Sequence, residues 1–236
     1  MRILALGPLR RTALIAGLLY LLTFASIPTL FLYGGVQAPG FVLGSGPDAP
    51  VVLGGLLEII VALACIGTAV VLYPVLRQYG QARAIGLVAA RVLEAALIYV
   101  GVVSLMSVVT LRQAGAGADA LAVSQGLVAQ YRWTFFYAQS FIPAVNGALL
   151  GSLLYQSRLV PRWMPLLAMI GALLLIASWF TILTGYMEAR SPLAGITALP
   201  IALWEFSLGL YLTFRGFRST PVLANPQAPA GQGDTG

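Results

Sequence analysis

Six long apolar runs, separated by short polar segments, constrain this chain more than any other feature. The runs cover residues 12–33, 51–76, 84–111, 133–157, 163–187 and 193–214. Crossing ~30 Å of hydrocarbon takes about 20 helical residues, and each run is at least that long. Strands of a membrane barrel would instead alternate in polarity over about ten residues. We therefore predict an all-α, polytopic transmembrane bundle of six spans, formed by a single domain over residues 1–218.

The composition agrees with this class of protein. Hydrophobic residues make up 59% of the chain and charged residues only 8%, against about 25% charged residues in a soluble domain. The first run is longer than the apolar part of a signal peptide, so we expect it to be an uncleaved span. Residues 219–236 are rich in Pro, Gly, Ala and Gln, and we expect a disordered cytoplasmic tail there.

The arginines predict the orientation of the spans, because positive charge is retained on the cytoplasmic side. The net charge of +6 comes from arginine alone, and most arginines flank the apolar runs. That placement indicates topology, so we expect no nucleic-acid partner. Counting the flanks gives nine arginines on one side and three on the other, which predicts that both termini are cytoplasmic. The nine are Arg2, Arg10, Arg11, Arg77, Arg83, Arg158, Arg162, Arg215 and Arg218, and the three are Arg112, Arg132 and Arg190.

Several kinds of chemistry are excluded by missing residue types. The chain has no histidine, no lysine and one cysteine, Cys65. Histidine-ligated metals, histidine-based catalysis, Schiff bases, iron–sulfur clusters and Walker-type phosphate loops therefore cannot form. A lipid-modifying enzyme using carboxylates alone would be supported by aspartate-rich metal motifs, and none occurs. We expect a protein that is not an enzyme and that holds no cofactor and no metal.

Four ionisable residues lie within the spans: Glu58, Arg91, Glu94 and Glu205. Each costs roughly 2.5–3.5 kcal/mol at a helix centre, so we expect them to face the bundle interior. Arg91 and Glu94 are three residues apart on one helix and can pair. At 1.5 Å per residue, Glu94 and Glu205 both fall within about 5 Å of the midplane, while Glu58 lies in the outer half of its span.

Two interpretations of these residues stay open. In the first, Arg91, Glu94 and Glu205 form a central polar site that binds or passes a small molecule or a proton, with Glu58 and Asn146 as second-rank members. In the second, Arg91 clamps the carboxylates into a structural brace, as in a structural or regulatory membrane subunit. Glu205 has no cation on its own span before Arg215, so it must share Arg91 or carry a proton.

The fourth run carries a second group of polar and small residues. Gln139, Pro143 and Asn146 are spaced by four and three residues and so share one helix face. Gly147 and Gly151 form a small-xxx-small pair that predicts a close helix–helix partner, beside the membrane lipids. Pro143 removes one backbone hydrogen bond and predicts a kink. Two rings at span ends, Tyr33 and Tyr131, are expected at the level of the lipid headgroups.

Four segments resemble a bacterial integral membrane family known as domain of unknown function 4386. They are Ala-Gly-Leu-Leu-Tyr-Leu-Leu-Thr at 16–23, Arg-Val-Leu-Glu-Ala-Ala at 91–96, Ser-Arg-Leu-Val-Pro-Arg-Trp at 157–163 and Tyr-Leu-Thr-Phe-Arg-Gly-Phe at 211–217. The third is the most specific, and in the fourth the family often has Trp at the position of Tyr211. The resemblance implies a bacterial protein of six or so helices, and hence the inner membrane, but it implies no activity or ligand.

Overall fold

The computed structural model of the protein describes residues 6–44, 46–189 and 191–218. Within these residues the fold is an all-α bundle with no strand, as predicted. The predicted tail at 219–236, and the flanking residues Arg2 and Arg190, lie outside the described residues. The helices are α1 (Pro8–Leu22), α2 (Thr29–Leu32), α3 (Ala49–Leu76), α4 (Gln81–Gln113), α5 (Ala120–Phe136), α6 (Ile142–Ser157), α7 (Trp163–Leu183) and α8 (Pro192–Phe214).

Five stretches of helix are long and apolar enough to cross a membrane. They correspond to the first, second, third, fifth and sixth predicted spans, with ends that differ by a few residues. The largest differences are four residues: the first stretch begins at Pro8 rather than at residue 12, and α7 ends at Leu183 rather than at residue 187. The five stretches are Pro8–Leu32, Ala49–Leu76, Gln81–Gln113, Trp163–Leu183 and Pro192–Phe214.

The first span differs from its prediction because its helix is interrupted. The α-helix α1 stops at Leu22, a 3-10 turn follows over Thr23–Ser26, and Pro28 precedes the short α2. Proline has no N–H for a helical hydrogen bond. The hydroxyl of Thr23 donates to the carbonyl of Tyr20 at 2.7 Å, so it competes for a carbonyl of the last helical turn.

The fourth span starts earlier than predicted. The segment 111–132 was predicted to be a long loop, with or without a short surface helix, but α5 begins at Ala120 and continues through a π turn, Tyr137–Phe141, directly into α6. This π turn lies just before Pro143, where a kink was predicted. Pro143 has no N–H to bond the carbonyl of Gln139 four residues earlier, and the wider turn accommodates that missing bond. Neither α5 nor α6 alone is long enough to count as a span, so the number six stays a prediction.

The helices pack in a closed ring. Going around it, α1 contacts α3, α3 contacts α4, α4 contacts α5 and α6, α6 contacts α7, α7 contacts α8, and α8 returns to α1. We call the end that carries residues 6–8, 77–80, 158–162 and 215–218 the terminal end, and the opposite end, with residues 33–44, 46–48, 114–119 and 184–189, the loop end. Midway between them, side chains of α1, α4, α6 and α8 meet inside the ring.

Small residues on α7 face its neighbouring helices, as is common where helices pack in lipid. On α7, Ala168 and Gly171 are buried whereas Leu173 is 71% exposed. The predicted glycine pair faces this helix: a Cβ at Gly147 would lie 3.3 Å from the carbonyl oxygen of Ala168, and one at Gly151 would lie 3.1 Å from the Ala168 Cβ. The helix that these glycines admit is therefore α7 of the same chain.

Candidate functional site

Arg91 is the centre of a buried polar cluster. Its side chain is 2% exposed. One guanidinium nitrogen, Nη1, lies 3.0 Å from Glu94 Oε2, and the other, Nη2, lies 2.8 Å from Glu205 Oε1. The Arg91–Glu94 pair follows from their spacing of three on α4, whereas Glu205 is brought in by α8. The three residues predicted as the core of a central site therefore lie together, and we call them the triad.

Asn146 completes the triad from α6. Its amide nitrogen donates to Glu94 Oε2 at 2.8 Å, and the residue is fully buried. Two further atoms of this cluster, Arg91 Nε and Asn146 Oδ1, are buried without a hydrogen-bond partner among the described residues. One carboxylate oxygen of Glu94, Oε2, thus accepts from both the Arg91 guanidinium and the Asn146 amide.

Two members of the cluster were not predicted. Arg91 Nη2 donates to the hydroxyl of Tyr20 at 3.3 Å, and Arg91 Nη1 lies 3.6 Å from Cys65 Sγ. Tyr20 is a polar-tipped ring well inside an apolar span, which was a usable signal because a buried phenol needs a partner. Cys65 was interpreted as a packing residue, and its contact with Arg91 could be seen only once α3 was placed against α4.

The triad carries one more negative than positive group when its carboxyls are ionised, since Arg91 faces both Glu94 and Glu205. Among the described residues, no other arginine forms an ion pair with either glutamate. The same part of the chain holds no group of three His, Cys, Asp or Glu side chains suited to a metal ion. Burying an uncompensated charge is costly, so this arrangement favours a proton or another cation as a companion.

A cavity of about 280 Å³ opens beside the triad. Arg91, Glu94 and Glu205 all line it, and Glu205 is the most exposed of the three, with 16% of its side chain accessible. Apolar groups form much of the wall, and polar side chains are distributed among them. Further lining residues are Thr23, Phe24, Ser26, Ile27, Cys65, Phe135, Gln139, Pro143, Ile201 and Ala202.

Glu58 lies in a separate cluster and makes no hydrogen bond with the triad. Its two carboxylate oxygens accept from the hydroxyls of Tyr131, at 3.1 Å, and Tyr33, at 3.3 Å. Both tyrosines were predicted at the headgroup level, which stays a prediction, and the structure shows that their side chains are packed against protein, with only 5% and 1% exposed. The glutamate draws the two hydroxyls into the bundle, where a buried phenol needs a partner.

The loop end holds a larger cavity of about 650 Å³, lined among others by Gln37, Arg132 and Glu188. A narrow third cavity of about 10 Å³ lies next to Glu58 and Tyr131. Phe135 and Gln139 line all three cavities. The triad, Glu58 and the loop end therefore adjoin one another around these two residues.

The terminal end is packed closely by comparison. A Cβ built on Gly17 of α1 would lie 2.6 Å from the backbone nitrogen of Thr213 and 2.8 Å from the carbonyl oxygen of Gly209, both on α8. Below this crossing, Arg10 donates to the carbonyls of Leu212, at 2.9 Å, and Thr213, at 2.6 Å. The α1–α8 contact thus closes the ring between the triad and the terminal end.

The family assignment agrees with the segments on which the resemblance rests. A family model described as "Domain of unknown function (DUF4386)" matches residues 15–216. The chain belongs to this family. Neither a curated protein nor a solved structure matches it. Membership and the apolar helices together describe a membrane protein whose family carries no assigned activity, and the residues that match include the whole triad.

Proposed function

We propose that this DUF4386 protein binds a proton or a small cationic molecule at the triad, and that it does so without enzymatic chemistry. The observation that carries the proposal is the pairing of one guanidinium with two carboxylates beside a cavity. One added positive charge would balance the site. Intramembrane ionisable groups are costly and typically mark ion or proton pathways.

The cavity supports a small occupant in addition to a proton. A volume of about 280 Å³ lies just below the range of about 300–1,000 Å³ typical of small-molecule pockets. Carboxylates accept hydrogen bonds, and the cavity lining includes Phe24 and Phe135, which are aromatic residues of the type that attracts cations. A protonated amine, which combines a positive charge with N–H donors, fits these groups better than an anion does.

Replacing Glu205 by glutamine tests the proposal. The variant keeps the side-chain size but removes the second carboxylate, so Arg91 and Glu94 would balance each other without an added charge. Wild type should lose thermal stability in detergent as the pH rises from about 5 to about 9, because the site then gives up its proton and keeps an unbalanced charge. The curve of Glu205→Gln should be flatter.

The control for this measurement is Glu188→Gln, which removes an exposed glutamate at the loop end. Its curve should follow wild type. If Glu205→Gln keeps the full pH dependence of wild type, the triad does not take up a proton in this range. A wild-type curve that is already flat between these pH values counts against the proposal equally.

A structural or regulatory subunit is the second candidate, and one observation favours it. Arg91 makes polar contacts with side chains from four helices, namely Tyr20 on α1, Cys65 on α3, Glu94 on α4 and Glu205 on α8. Such a hub could serve only to hold the ring together. Failure of Glu205→Gln to fold would favour this candidate, because a neutral hydrogen-bonding residue would then be insufficient.

We further propose a bacterial inner-membrane protein with six spans and both termini in the cytoplasm. Six spans require that α5 and α6 cross together as one helix. In support, arginines gather at the terminal end. Two contacts place their segments side by side there: Arg83 donates to the Ser152 hydroxyl at 3.1 Å, and the backbone nitrogen of Arg218 donates to the carbonyl of Leu159 at 2.8 Å. Reporter domains fused before residue 8 and after residue 218 should both report cytoplasm. A C-terminal reporter found outside while the N-terminal reporter is cytoplasmic would exclude an even number of spans.

A further inference from the structure

The cluster around Glu58 is built around a carboxylate that has no cation. Glu58 is 5% exposed, and none of the ion pairs among the described residues includes it. Two glycines make room for the tyrosines that bind it. Tyr33 packs against Gly54, where a Cβ would collide with the ring, and Tyr131 packs against Gly101, where a Cβ would lie 3.2 Å from the ring carbon Cδ2.

The other surroundings of Glu58 bring no charge. The narrow cavity beside it is lined by Leu97, Ile98 and Gly101 from α4 and by Gln139 from the π turn. Tyr33 and Tyr131 are therefore the titratable groups that face Glu58 in the described part of the chain. An ionised carboxylate in such surroundings is costly unless it is paired with a cation or takes up a proton.

The small cavity beside Glu58 adjoins both larger cavities, which also share Thr29 and Leu30 directly. This small cavity shares Tyr131, Phe135 and Gln139 with the loop-end cavity, and it shares Ser26, Val61, Phe135 and Gln139 with the triad cavity. Along α3, Glu58 and Cys65 are seven residues apart, which is about 10 Å at 1.5 Å per residue. Cys65 contacts Arg91 of the triad, so this length approximates the separation of Glu58 from the triad. A proton cannot be transferred directly over such a distance, and the transfer needs a bridging water beside Gln139.

We infer that Glu58 is a second proton-binding site, which connects the loop end with the triad. The inference rests on the proposed function of the triad. A hydronium ion from the loop-end cavity gives its proton to a Glu58 carboxylate oxygen and leaves as water. Water beside Gln139 then carries that proton to a triad carboxylate, and Glu58 returns to its ionised form. The phenols of Tyr33 and Tyr131 hold the ionised form by donating to its two oxygens.

Infrared difference spectroscopy tests this step, because only a protonated carboxyl group shows the carbonyl stretch of an acid. The full chain in lipid vesicles is taken from about pH 9 to about pH 5. Wild type should gain two such bands from buried groups, one from Glu58 and one from the triad. Glu58→Gln should lose the first band and develop the second more slowly. Glu205→Gln should lose the second band and keep the first. The control Asp119→Asn removes an exposed carboxylate that lines none of the three cavities and should keep both bands.

The variants separate this inference from the proposed function. If Glu58→Gln shows both bands with wild-type timing, Glu58 is not a proton site, whatever Glu205→Gln shows. If Glu205→Gln alone leaves the spectrum unchanged, the proposed function of the triad fails while the site at Glu58 stands. Should Glu58→Gln not fold, the double variant Tyr33→Phe/Tyr131→Phe keeps the carboxylate and removes its donors. A shift of the first band in that variant assigns it to Glu58, and an unshifted band overturns the inference.

Discussion

The two ends of the bundle are built differently, although the same helices run through both. At the terminal end, α1 and α8 cross with their backbones almost touching, because Gly17 and Gly209 carry no side chain at the crossing. Trp204 and Tyr20 fill the space above it, with their ring centroids 6.5 Å apart, and both are buried. This packing holds α1 and α8 tightly together between the triad and the terminal end.

At the loop end, the same pair of helices separates. Because α1 ends at Leu22, its continuation is a series of short turns rather than a helix packed along α8. The cavity beside the triad occupies this region, with Phe24 and Ile27 on one side and Ala198 and Ala202 on the other. The comparison shows that Gly17 and Gly209 allow α1 and α8 to pack closely at one end. At the other end, the helix of α1 is interrupted between Thr23 and Pro28, and α1 and α8 separate.

The largest effect is expected at Arg91, which lies midway between the two ends. Arg91→Ala leaves two buried carboxylates without their cation, and losing one partner of a buried ion pair costs about 3–5 kcal/mol in soluble proteins. We expect a large fall in the melting temperature in detergent. Arg91→Ala/Glu94→Ala should recover part of it, whereas strictly additive losses would show that the two residues are not coupled.

A smaller effect is expected from closing the space at the α1–α8 crossing. Gly17→Ala places a methyl group against the backbone of α8, and overpacking of this kind typically costs about 1–3 kcal/mol. The matched control is Gly195→Ala on the loop-end half of α8, where a Cβ meets nothing within 4 Å. Equal melting temperatures for the two variants would contradict the view that the terminal end is the tightly packed one.

The smallest effect should come from Arg10, which donates to carbonyls at the C-terminal end of α8. A cation at a helix C-terminus contributes about 0.3–1 kcal/mol. Arg10→Ala should lower the melting temperature slightly, and its matched control is Arg11→Ala, which removes the same charge one residue along α1. A loss that is no larger for Arg10→Ala than for Arg11→Ala would assign the effect to net charge rather than to closure of the terminal end.

The triad could be predicted from two features of the sequence: the spacing of residues within one helix and the depth of a residue counted along its span. Arg91 and Glu94 are neighbours on α4 by spacing alone. Glu205 was matched to them by depth, since residues counted from the ends of two apolar spans must fall at comparable levels in the same bilayer. The apolar runs likewise predicted the all-α bundle, because lipid requires that backbone groups be paired within each span.

The surroundings of Glu58 could not be predicted, because they depend on helices other than its own. Tyr131 lies on a segment that was predicted to be a loop, with or without a short surface helix, and Tyr33 lies beyond the interrupted end of α1. Amphipathic rings at span ends usually stay at the headgroup level. Here Gly54 and Gly101 provide the space that buries both rings, and which ring a glycine faces is decided by packing rather than by local sequence.

The π turn at Tyr137–Phe141 sets the rotational phase between two stretches of one continuous helix. The stretch before it presents Tyr131 to Glu58, and the stretch after it presents Asn146 to Glu94. A π turn carries one residue more than an α-helical turn, and each residue rotates the helix by about 100°. If the turn relaxed to regular α-helix, the two stretches would rotate against each other, and only one of the two side chains could keep its carboxylate. The two acidic sites are therefore coupled through one continuous helix. A change in its geometry between Tyr131 and Asn146 would break the contact with one of the two carboxylates.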